Sequence, residues 1–276
     1  MPSELDEANR LAWGSRDVKE LFVAREGFTD QAEAHLMRHV ATEARDQPLL
    51  DIGVGGGRTV SFLQAVSGDY VAIDYLKGLV KATRLRYPGV RVEHMDARDL
   101  SAFADSSFAL VVFSCNGIDG VPHADRQTIF NEVRRVLRPG GRFAYSTHNL
   151  DYRARRLQLD IDGARIVRHP ARALRNIARA PKMIRDYRRL LSLDVCGEGW
   201  ATLATIGYGF AVAWHYVTLA EALRELRESG FTATDIFGLS RLITTIDASS
   251  VSADRLAAGV DTSRCLSHHL LAHTPA

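Results

Sequence analysis

The sequence predicts an α/β protein built on a doubly wound, largely parallel sheet, and three observations lead there. From residue 49 to residue 147, short apolar runs alternate with helical patterns, the rhythm of strand–helix–strand units. The run at 108–113, Phe-Ala-Leu-Val-Val-Phe, is apolar throughout, as a strand covered on both faces must be. The stretch Leu49-Leu50-Asp51-Ile52-Gly53-Val54-Gly55-Gly56-Gly57-Arg58 carries an apolar run into a glycine cluster. A buried strand that turns sharply into a helix needs glycine there, because a Cβ would obstruct both the turn and a ligand lying on the backbone.

Residues 1–46 read as a helical N-terminal segment, with helices over 17–24 and 30–44. Asp30 is placed as an N-cap, and Ala34, Met37, Val40 and Ala41 share one face. Residues 47–150 form the core. Its strands are expected at 49–52, 70–73 (ending on Asp74), 90–94 (before Met95-Asp96-Ala97), 108–113 and 142–147. Helices are expected at 59–66, 76–87 and 125–137, with His123 capping the last and Arg138-Pro139-Gly140-Gly141 closing it. Residues 151–215 are arginine-rich, and apolar residues such as Leu174, Ile177, Ile184 and Tyr187 recur near helical spacing. They predict a helical cap of two amphipathic helices broken at Pro181. The sheet resumes over 216–276, where Thr218 caps a helix to Ser229, Gly230 ends it, and strands follow at 231–237 and 264–272. The link at 240–262 has no assignment.

Composition narrows the partners. With 276 residues, 46% of them hydrophobic, the chain can bury a full core. A net charge of +2 offers no global field for nucleic acid or a membrane surface, and no apolar run is long enough to span a bilayer. Cys115, Cys196 and Cys265 lack CxxC spacing and suit a reducing compartment. A cytoplasmic monomer or homodimer is the expectation.

The glycine turn can be tested by spacing. A dinucleotide fingerprint started at Gly53 needs Gly or Ala where Arg58 stands; started at Gly55, it meets Val60. A phosphate-binding P-loop needs a Gly-Lys-Ser/Thr that is absent. Asp51-x-Gly53-x-Gly55-x-Gly57 instead resembles motif I of the class I, Rossmann-like S-adenosylmethionine (SAM) dependent methyltransferases. Three further features fall at the carboxyl ends of the strands that follow: Asp74, Asp96-Ala97, and Ser114-Cys115-Asn116-Gly117. Val136-Leu137-Arg138-Pro139-Gly140-Gly141 and Ser229-Gly230-Phe231 also match the family. The resemblance implies a seven-stranded sheet of order 3-2-1-4-5-7-6, the last strand antiparallel, with SAM as cofactor and S-adenosylhomocysteine (SAH) as product. It implies that Asp51, Gly53, Gly55 and Gly57 hold the methionine end and Asp74, with Tyr75 beside it, the ribose. Asp96 and Ala97 would take the adenine, with Ser114, Cys115 and Asn116 completing the cofactor site.

Catalysis of methyl transfer is chiefly alignment, with a base only for a protonated acceptor. His148, Tyr152 and His215 are the catalytic candidates, and Asp119, Asn149 and Tyr208 the acceptor-binding ones. A metal is not expected: His268 and His269 are adjacent on a strand and point to opposite faces, away from a shared ion with His273. Ser114-Cys115-Asn116-Gly117 also departs from the Asn/Asp-Pro-Pro-Tyr pattern of enzymes that methylate base amines. Arg172, Arg175 and Arg179 stack along one helix face, as a solvated surface, a guide for an anionic substrate, or phosphate contacts to RNA. The reading is methyl transfer to O or N of a small molecule, an anionic one included. A tRNA- or protein-modifying methyltransferase and a non-catalytic nucleotide-binding module are the alternatives.

Overall fold

The computed structural model describes residues 4–15, 22–23, 26–155, 170–207, 210–238, 242–247 and 267–275. Helix α1 (Glu4–Trp13) and α2 (Gln31–Glu43) precede the sheet. Strand β1 (Leu49–Ile52) leads through the glycine turn to α3 (Val60–Val66), then β2 (Tyr70–Asp74), α4 (Lys77–Arg86), β3 (Arg91–His94) and β4 (Phe108–Phe113). A 3-10 turn (Gly117–Gly120) and α5 (His123–Val136) lead to the long β5 (Leu137–Asn149). After α6 (Leu150–Arg155) and α7 (Pro170–Leu191) come β6 (Val195–Gly197), β7 (Trp200–Gly207) and β8 (Phe210–Val217). Then α8 (Leu219–Glu228), β9 (Ala233–Phe237), β10 (Leu242–Asp247) and β11 (Ser267–His273) complete the described chain.

The strands run β3-β2-β1-β4-β5-β11-β9-β10 across the sheet. β1 to β5 are mutually parallel, and β11 is antiparallel to both β5 and β9. With β9 and β11 as the sixth and seventh core strands, this is the expected 3-2-1-4-5-7-6 order, extended by β10 at one edge. Strand alternation divides the core. Leu50, Ile52, Val111, Phe113 and Tyr145 pack on α5 and α8, while Leu49, Ala72, Leu110, Val112 and Ala144 pack on α2, α3 and α4.

Local chemistry fixes several boundaries. Asp30 is extended, and its Oδ1 accepts from the Glu33 amide at 2.9 Å, starting α2 as expected. The Thr218 hydroxyl does the same for Glu221, and Gly230 at φ +83° closes the following turn. Such caps contribute about 1 kcal/mol each.

Three expectations are corrected. Residues 195–217 are an antiparallel meander, β6 to β8, not part of a helical cap; β8 also pairs in parallel with the end of β5, His148 opposite Tyr216. Pro181 lies inside α7 instead of dividing it. Leu190 and Tyr187 anchor that helix on Ala204, Ala211 and Ala213 of the meander, so packing holds its far half in line. Pro122, not His123, precedes α5, and the His123 ring stacks on Trp200 with centroids 3.8 Å apart. Helix α1 falls within the N-terminal segment expected to be helical, ahead of the two helices placed there. Most of the 17–24 helix, all of 156–169, Tyr208, Cys265 and the side chains of Arg172, Arg175 and Arg179 lie outside the described residues. No helix among the described residues is long and apolar enough to cross a membrane.

Candidate functional site

The cleft opens at the carboxyl ends of β1 to β4, where an open α/β sheet receives ligands. It holds about 1060 Å³ of space, counted out to its mouth. Gly53, Gly55 and Gly57 have φ of +68°, +59° and +85°, a region that L side chains rarely adopt. A Cβ on Gly53 would come within 2.9 Å of the Phe113 ring, and one on Gly56 would overlap the Phe22 carbonyl and the Val23 Cα. The bare backbone is therefore a cradle pressed between β4 below and residues 22–23 above.

Asp74, at the end of β2, accepts from the amides of Gly55 (2.9 Å) and Leu76 (2.8 Å) while lining the cleft. Burial pushes its carboxyl up to about 6, against the pull of those two amides. Each oxygen keeps acceptor capacity for a ligand hydroxyl. Tyr75 and Ala97 line the same wall.

Asp96 is tied differently. It accepts from Arg98 Nε (3.0 Å) and Nη2 (2.7 Å) and from Arg10 Nη2 (2.6 Å), and the Arg10 guanidinium lies 4.7 Å from the centre of the Tyr75 ring. Burial would raise this carboxyl, but the arginine bonds outweigh it and hold Asp96 at about 2. Helix α1 is thereby clamped over the Asp96 side of the cleft. Asn9 adds a second clamp, donating to the carbonyls of Gly120 and Ala213 (each 2.9 Å) and accepting from the Ala213 amide.

Asp51 is the main departure among the cofactor residues. Its side chain alternates to the α3 face of β1, where it accepts from Thr59 Oγ1 (2.9 Å) and Tyr70 OH (2.8 Å), and it is 1% exposed. Asp51 thus braces the turn from behind without lining the cleft, and burial lifts its carboxyl to about 6. Arg58, which sequence reasoning used only to exclude a dinucleotide site, lines the cleft. It is paired with both Glu33 oxygens (2.6 and 2.8 Å) and with Ser114 Oγ (3.0 Å). Ser114 and Cys115 line the cleft, whereas Asn116 turns to Ser267 Oγ (2.8 Å) and Ser146 Oγ (2.8 Å), leaving its Oδ1 without a partner among the described residues.

The catalytic and acceptor candidates separate. Asp119 is 1% exposed, so it serves no acceptor directly. It accepts from Arg126 Nη1 (2.8 Å), Thr147 Oγ1 (2.6 Å), the His148 amide (2.6 Å) and His148 Nδ1 (2.7 Å). Arg126, fully buried, is bidentate to Glu225 at 2.7 and 2.8 Å. The His148 side chain keeps 13% exposure beside the cleft residue Trp214, ring centroids 4.9 Å apart. His215 is wholly buried against Thr202 and His123, and burial holds its imidazole far below the ordinary range. It is a core residue, not a base. Asn149 is likewise buried; its Oδ1 accepts from the Asp151 amide at 2.9 Å and starts α6. Tyr152 is half-buried on α6, and Tyr208 lies outside the described residues.

His123, His215 and Glu225 lie close enough to suggest a cation site, but the Arg126 guanidinium already holds both Glu225 oxygens. On β11, His269 meets Asp30 (3.2 Å), His273 meets Asp235 (3.0 Å), and His268 meets the Val217 carbonyl (3.3 Å), each apart from the others.

Sequence reasoning missed Trp13, Phe22, Arg98 and Trp214, which come from α1, the residues after it, the β3 turn and β8 and complete the cleft with the glycine turn, and it missed Arg10, which holds Asp96 from α1. Trp13 lies edge-on to Trp214 (centroids 4.9 Å) and to Phe22 (5.3 Å).

Residues 49–141 match the family described as a methyltransferase domain. A probable S-adenosylmethionine-dependent methyltransferase of Mycolicibacterium smegmatis is 28% identical over 137 residues, covering 49% of this chain and 51% of that protein. A probable phthiotriol/phenolphthiotriol dimycocerosates methyltransferase 2 of Mycobacterium ulcerans is 33% identical over 124 residues, covering 42% of this chain and 46% of that protein. The chain spans about half the length of these curated relatives. The crystal structure of an S-adenosylmethionine-dependent methyltransferase from Mesorhizobium loti shares the fold, with a TM-score of 0.53 at 20% identity, over 88% of this chain and 97% of that one.

Proposed function

We propose, from the premise that residues 49–141 form a class I SAM-dependent methyltransferase domain, that this chain transfers a methyl group to an oxygen or nitrogen of a small-molecule acceptor. One observation carries the reading: a single cleft joins the glycine turn, Asp74 and Asp96 to a roof from outside the domain, formed by Trp13, Phe22 and Trp214. A cofactor seated on one side would meet an acceptor enclosed on the other, and the relative from Mycobacterium ulcerans is itself named a phthiotriol/phenolphthiotriol dimycocerosates methyltransferase.

The residues fit the cofactor. The glycine turn, its backbone in the left-handed region, lines the cleft at Gly53 and Gly55, Asp74 has acceptor capacity for ribose hydroxyls, and Ala97 leaves room beside Asp96 for a purine. When bound, SAM supplies a methyl group made electrophilic by its positive sulfur. The protein's task is to align the acceptor with that methyl and exclude water, which can lower the barrier by about 7–11 kcal/mol.

Where the acceptor must lose a proton, the base assigned is His148, which stands outside the cleft lining beside Trp214 and keeps 13% side-chain exposure. Its Nδ1–H donates to Asp119 Oδ2 at 2.7 Å, a tautomer set by a carboxylate that can only accept, and Nε2 keeps its lone pair. We also propose a cytoplasmic site of action, on the scattered cysteines; cell fractionation tests it.

Methyl-labelled SAM, incubated with a metabolite extract, with bulk tRNA and with protein, tests the assignment. Label in the metabolite fraction, lowered about 100- to 10,000-fold by His148→Gln with SAH affinity retained, is the expected result. Label in tRNA or protein alone, or none in any fraction despite cofactor binding, would overturn it.

A further inference from the structure

The walls of the cleft beyond the cofactor cradle differ in chemistry from the cradle itself. The cradle is backbone and carboxylate. The acceptor side is aromatic and apolar: Trp13 from α1, Trp214 from β8, and Val121 after the 3-10 turn. Trp13 reaches toward that turn, its Nε1 3.9 Å from the position of a Cβ on Gly120. Trp13 and Trp214 meet edge to face with ring planes 66° apart. Two rings held this way make an angled aromatic corner, and both line the cleft.

Charge gives the second observation. Arg58 and Arg98 are the guanidinium groups among the cleft-lining residues. Arg58 is bidentate to Glu33, and Arg98 is shared by Asp96, Asp6 and Asp125. Neither has a carboxylate-shaped fork to spare. Asp6, Asp74 and Asp96 add three acids to the same walls. An anionic acceptor would leave water for a site whose cations are matched and whose carboxylates repel it, so its charge would be desolvated without compensation.

We propose that the acceptor is an uncharged, flat aromatic molecule carrying a hydroxyl or amine, laid against the corner formed by Trp13 and Trp214 with its nucleophile toward His148. This rests on the methyltransferase reading and sharpens it: α1 and β8, both outside residues 49–141, select the acceptor. Two basic side chains of α7 are engaged elsewhere. In the described stretch of that helix, Lys182 is paired with Asp186 at 2.5 Å and Arg189 with Glu4 of α1 at 3.3 Å.

A two-stage titration tests it on the full chain. SAH is titrated first, and failure to bind would refute the underlying methyltransferase reading. The SAH-loaded protein is then titrated with 2-naphthol and with 2-naphthoate, probes of equal ring size that differ in charge, followed by indole fluorescence. The expectation is at least tenfold tighter binding of 2-naphthol. Trp13→Ala and Trp214→Ala should each weaken it about fivefold with SAH affinity retained, which also shows the variants are folded. Trp200→Phe, at a ring stacked on His123, should change neither affinity. Equal or tighter binding of 2-naphthoate, no binding of either probe to the SAH-loaded protein, or 2-naphthol affinity indifferent to both tryptophans would overturn the proposal.

Discussion

Cofactor affinity should follow the protonation of Asp74. Burial raises this carboxyl from 3.8 to about 6 in the folded protein. Only the carboxylate offers full acceptor capacity to two ribose hydroxyls; the acid form must spend one oxygen on its own proton. At pH 8 the group is ionised. At pH 5, one unit below its folded value, about one molecule in eleven is, so SAH affinity should drop about tenfold. The sign for stability is opposite. A carboxyl raised on folding binds its proton more tightly in the native state, so the ligand-free protein gains stability as pH falls from about 6 toward 3.8. Ionised at neutral pH, Asp74 costs about 3 kcal/mol, from roughly two pK units at 1.36 kcal/mol each. Calorimetric titration of SAH between pH 8 and pH 5 reads the first effect. Asp74→Asn should lower affinity more than tenfold at pH 8 and flatten the profile. Asp51→Asn is the control, because Asp51 is also lifted to about 6 by burial but stays outside the cleft; its profile should keep the pH 5 loss. A flat profile in the unaltered protein, or one abolished by Asp51→Asn and kept by Asp74→Asn, refutes the ribose assignment.

Three further outcomes follow from the same geometry. Arg126→Met strands the buried carboxylates of Asp119 and Glu225, a change that typically costs 3–5 kcal/mol. Thermal unfolding should fall by about 10 °C, and an unchanged midpoint would show the triad to be energetically idle. Asp119→Asn keeps the shape but loses the acceptor that fixes His148; long-range nitrogen NMR of the imidazole should report a changed tautomer balance, and an unaltered spectrum would disconnect the pair. Gly56→Ala drives a methyl group into the Phe22 carbonyl and Val23 Cα. Amide exchange at residues 22 and 23 should accelerate, and protection equal to the parent's would contradict their seating on the glycine turn.

What the sequence disclosed is what local patterning controls. The glycine turn, the apolar strand at 108–113, and the caps Asp30 and Thr218 each depend on residues a few positions apart, and each lies where expected. Asp74 and Asp96 line the cleft because strand ends in this fold fall at fixed places. Asp51 was misread, since the alternation that carries Leu50 and Ile52 to the α5 face turns it to the other, a consequence visible only once β1 is paired. The meander was hidden by carrying the helical period of the arginine-rich segment too far. Gly207-Tyr208-Gly209 between two β-branched and aromatic runs was the available hairpin signal. Trp13, Phe22 and Trp214 could not be read as neighbours, because their meeting depends on where α1 crosses the sheet, which no local spacing encodes.

Equilibrium dialysis of the purified chain against labelled SAM, with SAH, ATP and NADH as competitors, addresses the central claim most directly. Saturation at one SAM per chain, reversed by SAH and untouched by the two phosphate-bearing nucleotides, is the result expected of a bare glycine cradle flanked by carboxylates. Absence of SAM binding, with ATP or NADH filling the cleft instead, would contradict the account.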